Sequence, residues 1–475
     1  MPRKKGINTK GKEGKKPQSD TSEKNGGNRQ KTPQILRGFK DILPGDQPYW
    51  DFVRDTLREI AYKYSFSRID LPILEQTNLF KRTVGDVTDI VEKEMFSFVG
   101  QSGESMSLRP EATASVARGY IEHGMLNHPQ PVKLYYIGPM FRYDRPQAGR
   151  YRQFHQFGFE IIGEDGPTAD TQIILMTYRF FQALGLDVIM KTNSIGCSHC
   201  RPEYTKALVA YYKTKKSQLC EDCQRRMVKN PLRLLDCKEE SCVPLKADAP
   251  QLVDFLCADC QAHFMSVLEM LDELEIPYML DPTLVRGLDY YNRTTFEVFM
   301  AEEGMRGIGK LALGGGGRYD YLIETIGGRE TPAVGVASGI ERIVLILKEL
   351  KIQPPRRPRP QIMLAQIGAA AKVKAIKLFE ELHAKGFKIV EHYVKDSLKA
   401  QLEFANRKGC RLVLILGQKE VLDNTILIRD MEAGIQETLD MNKLEHTLQK
   451  KLEGILEEME PLDVALGTQD DGGEV

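Results

Sequence analysis

The strongest alternation of apolar and polar positions falls between residues 134 and 163. His155, Phe157, Phe159 and Ile161 lie on one face of a period-two pattern, and Phe154, Gln156, Gly158, Glu160 and Ile162 lie on the other. A strand ending at Arg142 precedes it, and the loop 143–152 adds Arg145, Arg150 and Arg152. The pattern predicts a hairpin with a basic tip. Gln156 and Glu160 point the same way with Gly158 between them, which predicts a pocket floor with room for something small and polar. Guanidinium forks match phosphate oxygens, so the arginines suit a phosphate ligand. A solvated hairpin with a charged tip is the simpler reading of the same residues.

Other periodicities frame this hairpin. Trp50, Val53, Leu57, Ile60, Ala61 and Tyr64 recur at helical spacing, and residues 66–74 read as a strand ending near Pro72. Val116, Ala117 and Tyr120 mark the inward face of a helix that Pro110 suits as a start and that Glu111 and Thr113 suit as caps. Residues 168–185 predict a further helix. Residues 311–320, LALGGGGRYD, hold four consecutive glycines with no Lys-Ser/Thr after them. That excludes a P-loop and predicts a strand edge approached closely by a ligand or by backbone. Arg342 falls in the first turn of an apolar helix, where the helix dipole disfavours a cation by a few tenths to ~1 kcal/mol, so an anion is expected beside it. Arg286 lies next to Gly287 among apolar neighbours; a cation in so tight a place needs an anion, with Asp289 as the simplest salt-bridge partner. Tyr290 and Tyr291 are expected on opposite faces of a strand.

Residues 351–360 form a proline-rich linker. Beyond it, β-like runs at 362–367, 388–393, 411–416 and 425–428 alternate with helical patterns, which predicts a compact α/β domain. The ends differ in charge. Residues 1–33 are rich in Lys, Gly and Asn and predict a disordered basic tail; residues 449–475 form an acidic tail. The basic tail reads as solubilising, or as a loose electrostatic hold on RNA.

Composition narrows the classes. The chain has 475 residues, with 66 basic and 66 acidic side chains, so a nucleic-acid partner needs local basic patches rather than a global field. No stretch approaches ~18 consecutive apolar residues, so no membrane partner is expected. The first residues lack the apolar run of a secretory signal, which points to the cytoplasm. Eight of the nine cysteines form four close pairs: Cys197 and Cys200, Cys220 and Cys223, Cys237 and Cys242, Cys257 and Cys260. Two such pairs complete a tetrahedral four-thiolate zinc site, and four pairs can make two. The alternative is a small subdomain whose cysteines pack as hydrophobes. Catalytic zinc is not expected, because no histidine and carboxylate join the pairs.

The run from Gly138 to Glu160, GPMFRYDRPQAGRYRQFHQFGFE, resembles motif 2 of the class II aminoacyl-tRNA synthetases in its histidine-specific form. The run from Leu284 to Glu297, LVRGLDYYNRTTFE, resembles the signature of histidyl-tRNA synthetases. The 332–342 run resembles motif 3, and the helix and strand before residue 74 resemble motif 1, which builds the family's dimer interface. The resemblance spans roughly residues 34–448.

It implies an α+β catalytic domain with a mixed, mainly antiparallel sheet flanked by helices, in two parts, 34–190 and 276–350. Between them lies a cysteine-rich insertion, 191–275; an anticodon-binding α/β domain, 361–448, follows the linker. It implies ATP-dependent attachment of L-histidine to histidine tRNA through histidyl-adenylate, by a cytoplasmic homodimer using Mg²⁺. Arg142 and Arg286 would hold the α-phosphate and Arg342 the γ-phosphate. Glu111, Ala112 and Thr113, with Gln156, would bind the amino-acid end; relatives often have Gly where Ala112 stands. Glu160, with Tyr290 or Tyr291, would read the imidazole. The alternative is a non-catalytic synthetase-like regulatory subunit of histidine biosynthesis. Such paralogues generally lack the C-terminal domain and degrade the Arg286–Tyr291 run, and both are intact here.

Overall fold

The structure, a computed structural model, describes residues 32–85, 88–147, 149–301, 311–355, 360–394 and 396–456. Most of the basic tail, part of the linker and the acidic tail beyond 456 lie outside the described residues. The chain divides into two units, Met1–Arg37 and Gly38–Val475. In the first, residues 32–36 form neither helix nor strand.

The second unit is built on an eight-stranded sheet. Its order is Ser67–Arg68, Val132–Phe141, Gln153–Ile162, Ala333–Gly339, Gly314–Arg318, Asn292–Met300, Val188–Ser194, Tyr278–Leu280. Only the two outermost pairings are parallel, so the sheet is mixed and mainly antiparallel. Period-two alternation sorts its faces. Phe157, Phe159 and Ile161 join Phe296, Val298, Val334 and Val336 in the larger core. Helices Gln47–Lys63, Pro167–Ala183 and Ile340–Glu349 cover that face, and Trp50, Val53, Leu57, Ile60 and Ala61 of the first are buried as their spacing requires. Tyr64 follows the helix rather than belonging to it. The opposite face, with Leu134, Tyr136, Met140 and Ile162, packs against helix Thr113–Glu122 and much of the cysteine-rich insertion.

Two elements depart from the expected pattern. Residues 66–74 are not one strand. Ser67–Arg68 joins the large sheet, and Leu74–Gln76 joins a separate three-stranded sheet with Ser105–Leu108 and Ser97–Val99. The break has a cause: the carbonyls of Leu71 and Pro72 accept from the buried Arg109 guanidinium instead of from a neighbouring strand. The glycine strand Gly314–Arg318 is not an edge either, being paired on both sides. Beyond the linker, a five-stranded sheet runs Ile389–Glu391, Ile362–Gln366, Leu412–Leu416, Thr425–Asp430, Gln436–Asp440. Helices Ala369–Ala384, Leu398–Lys408 and Leu444–Leu456 flank it, and the last buries Leu448 and Leu452.

Candidate active site

Glu160 is the deepest acid of the site. It is fully buried and accepts the Thr113 hydroxyl on one oxygen (2.9 Å) and the Tyr319 hydroxyl on the other (2.5 Å). Burial, aided by Glu111 and opposed by those two hydrogen bonds, pushes its pKa up to about 8. Gly335 is its cross-strand partner, and a Cβ there would overlap the carboxylate. Gly158 does not leave the open floor that the sequence suggests. Tyr136, its partner on the other side, lays its phenol where a Cβ would stand. The buried Tyr136 hydroxyl and Gln156 Oε1 have no hydrogen-bond partner among the described residues.

Glu111 and Thr113 open the helix that covers this pocket. The Glu111 carboxylate accepts the backbone N–H groups of Thr113 (2.7 Å) and Ala114 (3.0 Å), the capping role that its position before the helix allows. Burial raises its pKa against those bonds and against Arg142. Ala112, also buried, stands at the N-cap. Tyr290 and Tyr291 do not point to opposite faces of a strand. They lie in the turn before Asn292–Met300, with ring centroids 4.6 Å apart, and both rings meet Tyr319, at 5.7 and 6.4 Å. Burial holds the Tyr136, Tyr290 and Tyr319 hydroxyls well above their usual pKa, so they are neutral donors.

A cationic region adjoins this pocket through one short segment. Pro110 O accepts from Arg142 Nε (2.9 Å), three residues before the threonine that holds Glu160. The Arg142 guanidinium lies 5.4 Å from the Phe154 ring centroid. Arg342, in the first turn of its helix, donates to the carbonyls of Gly149 (3.2 Å) and Ala312 (2.6 Å). No carboxylate forms an ion pair with Arg142 or Arg342 among the described residues. Burial, then Arg150 and Arg142, pull the Arg342 pKa down, so three positive charges crowd one place. Asp144 pairs with Arg150 at 3.1 Å, and together with Glu297 it offsets part of the effect on Arg342. Arg145 lies exposed, and Arg152 stacks on Tyr143.

Arg286 has a partner that the sequence did not suggest. It pairs with Glu297 of the adjoining strand, not with Asp289, whose Oδ1 accepts from Asn230 (2.7 Å). Burial opposes the Arg286 charge, and Glu297 and the tyrosines restore it. Its Nε is buried without a partner among the described residues, and Gly315 leaves room for the guanidinium. Tyr136, Tyr319 and Glu297 are thus site residues that sequence reasoning did not single out. Tyr136 alternates correctly with Leu134 and Met140, but only the pairing register sets it over Gly158.

The eight paired cysteines separate into two sets of four. Cys197, Cys200, Cys257 and Cys260 form one, and Cys220, Cys223, Cys237 and Cys242 the other, with all sulfurs of a set within 4.8 Å of one another. Sulfur separations such as 3.6, 3.9 and 3.8 Å are too long for a disulfide. They match the edge of a tetrahedron with metal–sulfur bonds of about 2.3 Å, which is about 3.8 Å. Backbone N–H groups of Cys257 and Cys223 donate to Cys200 and Cys220 sulfurs at 3.2 and 3.4 Å. The ninth cysteine, Cys410, is buried in the C-terminal domain.

Comparison with known proteins agrees with this geometry. Residues 38–343 match the family model for histidyl-tRNA synthetase, and residues 361–451 match that for an anticodon binding domain. The chain is 48% identical over 420 residues to a histidine–tRNA ligase of Dehalococcoides mccartyi, covering 88% of this chain and 100% of that one. It is 45% identical over 416 residues to a histidine–tRNA ligase of Natranaerobius thermophilus, covering 87% and 98%. Among solved structures, the apo histidyl-tRNA synthetase of S. aureus superposes with a TM-score of 0.73 at 36% identity, covering 87% of this chain and 98% of that chain. With a family model spanning residues 38–343 and relatives this similar over 87–88% of its length, the chain belongs to the histidyl-tRNA synthetase family.

Proposed function

We infer that this chain joins L-histidine to histidine tRNA in translation, in two steps. The histidine carboxylate attacks the α-phosphate of ATP; a P–O bond forms, pyrophosphate leaves, and histidyl-adenylate results. A terminal ribose hydroxyl of the tRNA then attacks the adenylate carbonyl and AMP leaves. Neither step needs a strong protein nucleophile. Both need positioning and neutralisation of developing charge.

One observation carries the reading: a closed carboxylate pocket adjoins crowded arginines, two of which have no carboxylate partner among the described residues. Crowded, partly buried cations of this kind call for an anion such as a triphosphate. Glu160 accepts the imidazole N–H beside Tyr290 or Tyr291, and a pocket built to hydrogen-bond its substrate rejects apolar mimics. Glu111 has spent two of its roughly four lone-pair positions on the helix, leaving the rest for the substrate ammonium with Thr113 and Gln156. Arg142 and Arg286 take the α-phosphate and Arg342 the γ-phosphate. The family's Mg²⁺ neutralises phosphate charge when bound; Glu297, facing Arg286 and acting on Arg342, is the carboxylate that suits it.

The regulatory-subunit alternative is disfavoured by the ligases that this chain matches end to end and by the match over residues 361–451. Each four-cysteine set would hold one structural zinc ion; its donors are all thiols, with no open position for catalysis. Free thiols suit a reducing compartment, the cytoplasm, and no described helix is long and apolar enough to cross a membrane. The deciding experiment is ATP–pyrophosphate exchange with each of the twenty amino acids. Exchange is expected with histidine alone; equal exchange with another amino acid rejects the assignment.

A further inference from the structure

The loop from Leu284 to Tyr291 carries Arg286, Tyr290 and Tyr291, yet it contains neither helix nor strand. A loop that must place three site residues has to be held from outside. Part of that hold comes from the catalytic core, where Asn193 Nδ2 donates to Leu284 O (3.0 Å) and Asp289 N to Val84 O (3.2 Å), and part from the two four-cysteine lobes. Arg201 follows directly on Cys200 and opens helix Arg201–Lys213. Its Nε donates to Ile195 O (3.3 Å) and its Nη2 to Tyr291 O. Ile195 N in turn donates to Arg293 O (2.8 Å), and Arg293 N to Gly196 O (2.9 Å). Arg293 has φ +48, a left-handed conformation that a non-glycine residue keeps only where its surroundings dictate it. The residues that dictate it immediately precede Cys197.

The second lobe grips the other end. Between Cys223 and Cys237, Asn230 Nδ2 donates to Asp289 Oδ1 (2.7 Å) and Arg233 Nη1 to Arg286 O (3.4 Å). Gly287 has no side chain where the Arg233 guanidinium passes. The lobe is tied down elsewhere by Asp89, which pairs with Arg226 at 2.7 Å and with Arg233 at 3.5 Å.

We propose that the two four-cysteine centres brace the histidine-reading loop from opposite ends, through Arg201 on one side and Asn230 and Arg233 on the other. Arg201 and Arg233 are then positioning residues for histidine, although neither touches the reacting atoms. The inference rests on the adenylation reading of the site and on metal in the lobes, and it reaches beyond an insertion that merely folds around zinc. The helices and short turns between Gly196 and Cys257 share a buried core that includes Tyr204, Leu208, Tyr212 and Leu252, and the two four-cysteine sets tie their ends together, so loss of the ion frees those ends to shift. The loop should loosen, weakening histidine binding through Tyr290 and Tyr291 and slowing adenylate formation through Arg286.

The test uses full-length protein, purified reduced and analysed for zinc. Arg201→Ala and Arg233→Ala should each raise the KM for histidine about 10-fold, the scale of one lost hydrogen bond to a buried carbonyl, with the zinc content unchanged; Arg233→Ala, whose partner is the Arg286 carbonyl, should also slow adenylate formation. Arg201→Lys, which keeps one donor, should recover part of the loss. Arg225→Ala, in the lobe of Arg233 but paired among the described residues only with the exposed Asp222, should behave as wild type. Hydrogen exchange on the wild type needs no variant: chelating the zinc should deprotect residues 284–293, and zinc added back should restore them. If wild type fails to exchange pyrophosphate with histidine, the site reading falls. If it exchanges, but the two alanine variants bind histidine normally and chelation leaves residues 284–293 protected, the brace falls alone. Absence of metal from reduced, unchelated protein also overturns it.

Discussion

Glu160 is a carboxyl held where its charge is unwelcome. Its folded pKa of about 8 stands above the ordinary 4.5, so the folded state binds this proton more tightly than the unfolded one. The associated stability is complete below about pH 4.5 and is lost as pH rises to about 8, at up to about 1.4 kcal/mol per pH unit. Glu160→Gln mimics the protonated form and removes that loss. Ligand-free Glu160→Gln should therefore melt above wild type at pH 9 and converge with it near pH 5, while losing histidine-dependent exchange. Melting curves across that range check this; a wild type flat from pH 5 to 9 would mean an ordinary carboxylate. Arg286 poses the converse question, since Glu297 already neutralises it. The α-phosphate gains charge in the transition state, so a fixed guanidinium aids the transition state more than binding. Arg286→Ala should slow adenylate formation about 10²–10³-fold, the scale of one preorganised donor, and slow transfer to tRNA less. Lysine should restore only part, having no second fork. Rapid-quench measurement separates the steps; a variant that melts earlier but forms adenylate at the wild-type rate would reduce Arg286 to a partner for Glu297.

At the scale of elements, what could be read from the sequence was what depends on periodicity. The faces of Gln153–Ile162, the buried stripe of Gln47–Lys63 and the four close cysteine pairs follow from spacing along the chain, whereas the joining of the first pair with the fourth and of the second with the third does not. What could not be read depended on a second element. Gly158 looks like a gap until the register sets Tyr136 opposite it. Tyr290 and Tyr291 belong to opposite faces only if the chain is extended there, and a turn puts them side by side. Asp289 is nearer to Arg286 in sequence, but Glu297 is nearer in space. Residues 66–74 look like one strand until Arg109, more than thirty residues on, takes the carbonyls that would continue it. The site residues missed are thus those whose role is set by contacts distant in sequence, as Tyr319 also shows by reaching Glu160.

For the whole molecule, the open question is how many chains make one enzyme. Leu74 and Phe98 of the three-stranded sheet, and Ile73 just before it, are each more than two-fifths exposed, and Val99 of the sheet is 70% exposed. Large apolar side chains exposed on and beside one small sheet suit an interface. A second copy of this chain is the partner proposed, because the helix and strand before residue 74 resemble the family's dimer motif. The sheet is not remote from the chemistry. Its strand Ser105–Leu108 runs straight into the segment whose Pro110 carbonyl holds Arg142 and whose Thr113 hydroxyl holds Glu160. Arg109, between them, ties Leu71, Pro72 and Pro139 together through their carbonyls. Pairing that steadies the sheet therefore steadies both halves of the site. The protein should sediment at twice the 53.8 kDa of one chain. Phe98→Asp combined with Val99→Asp should shift it to monomer, because carboxylates placed in an apolar interface oppose association. The monomer should keep its helical signal but lose exchange activity, and dilution of wild type should lower specific activity as dimers dissociate. Sedimentation of a fully active 53.8 kDa species would overturn the dimer and leave the exposed sheet to another partner.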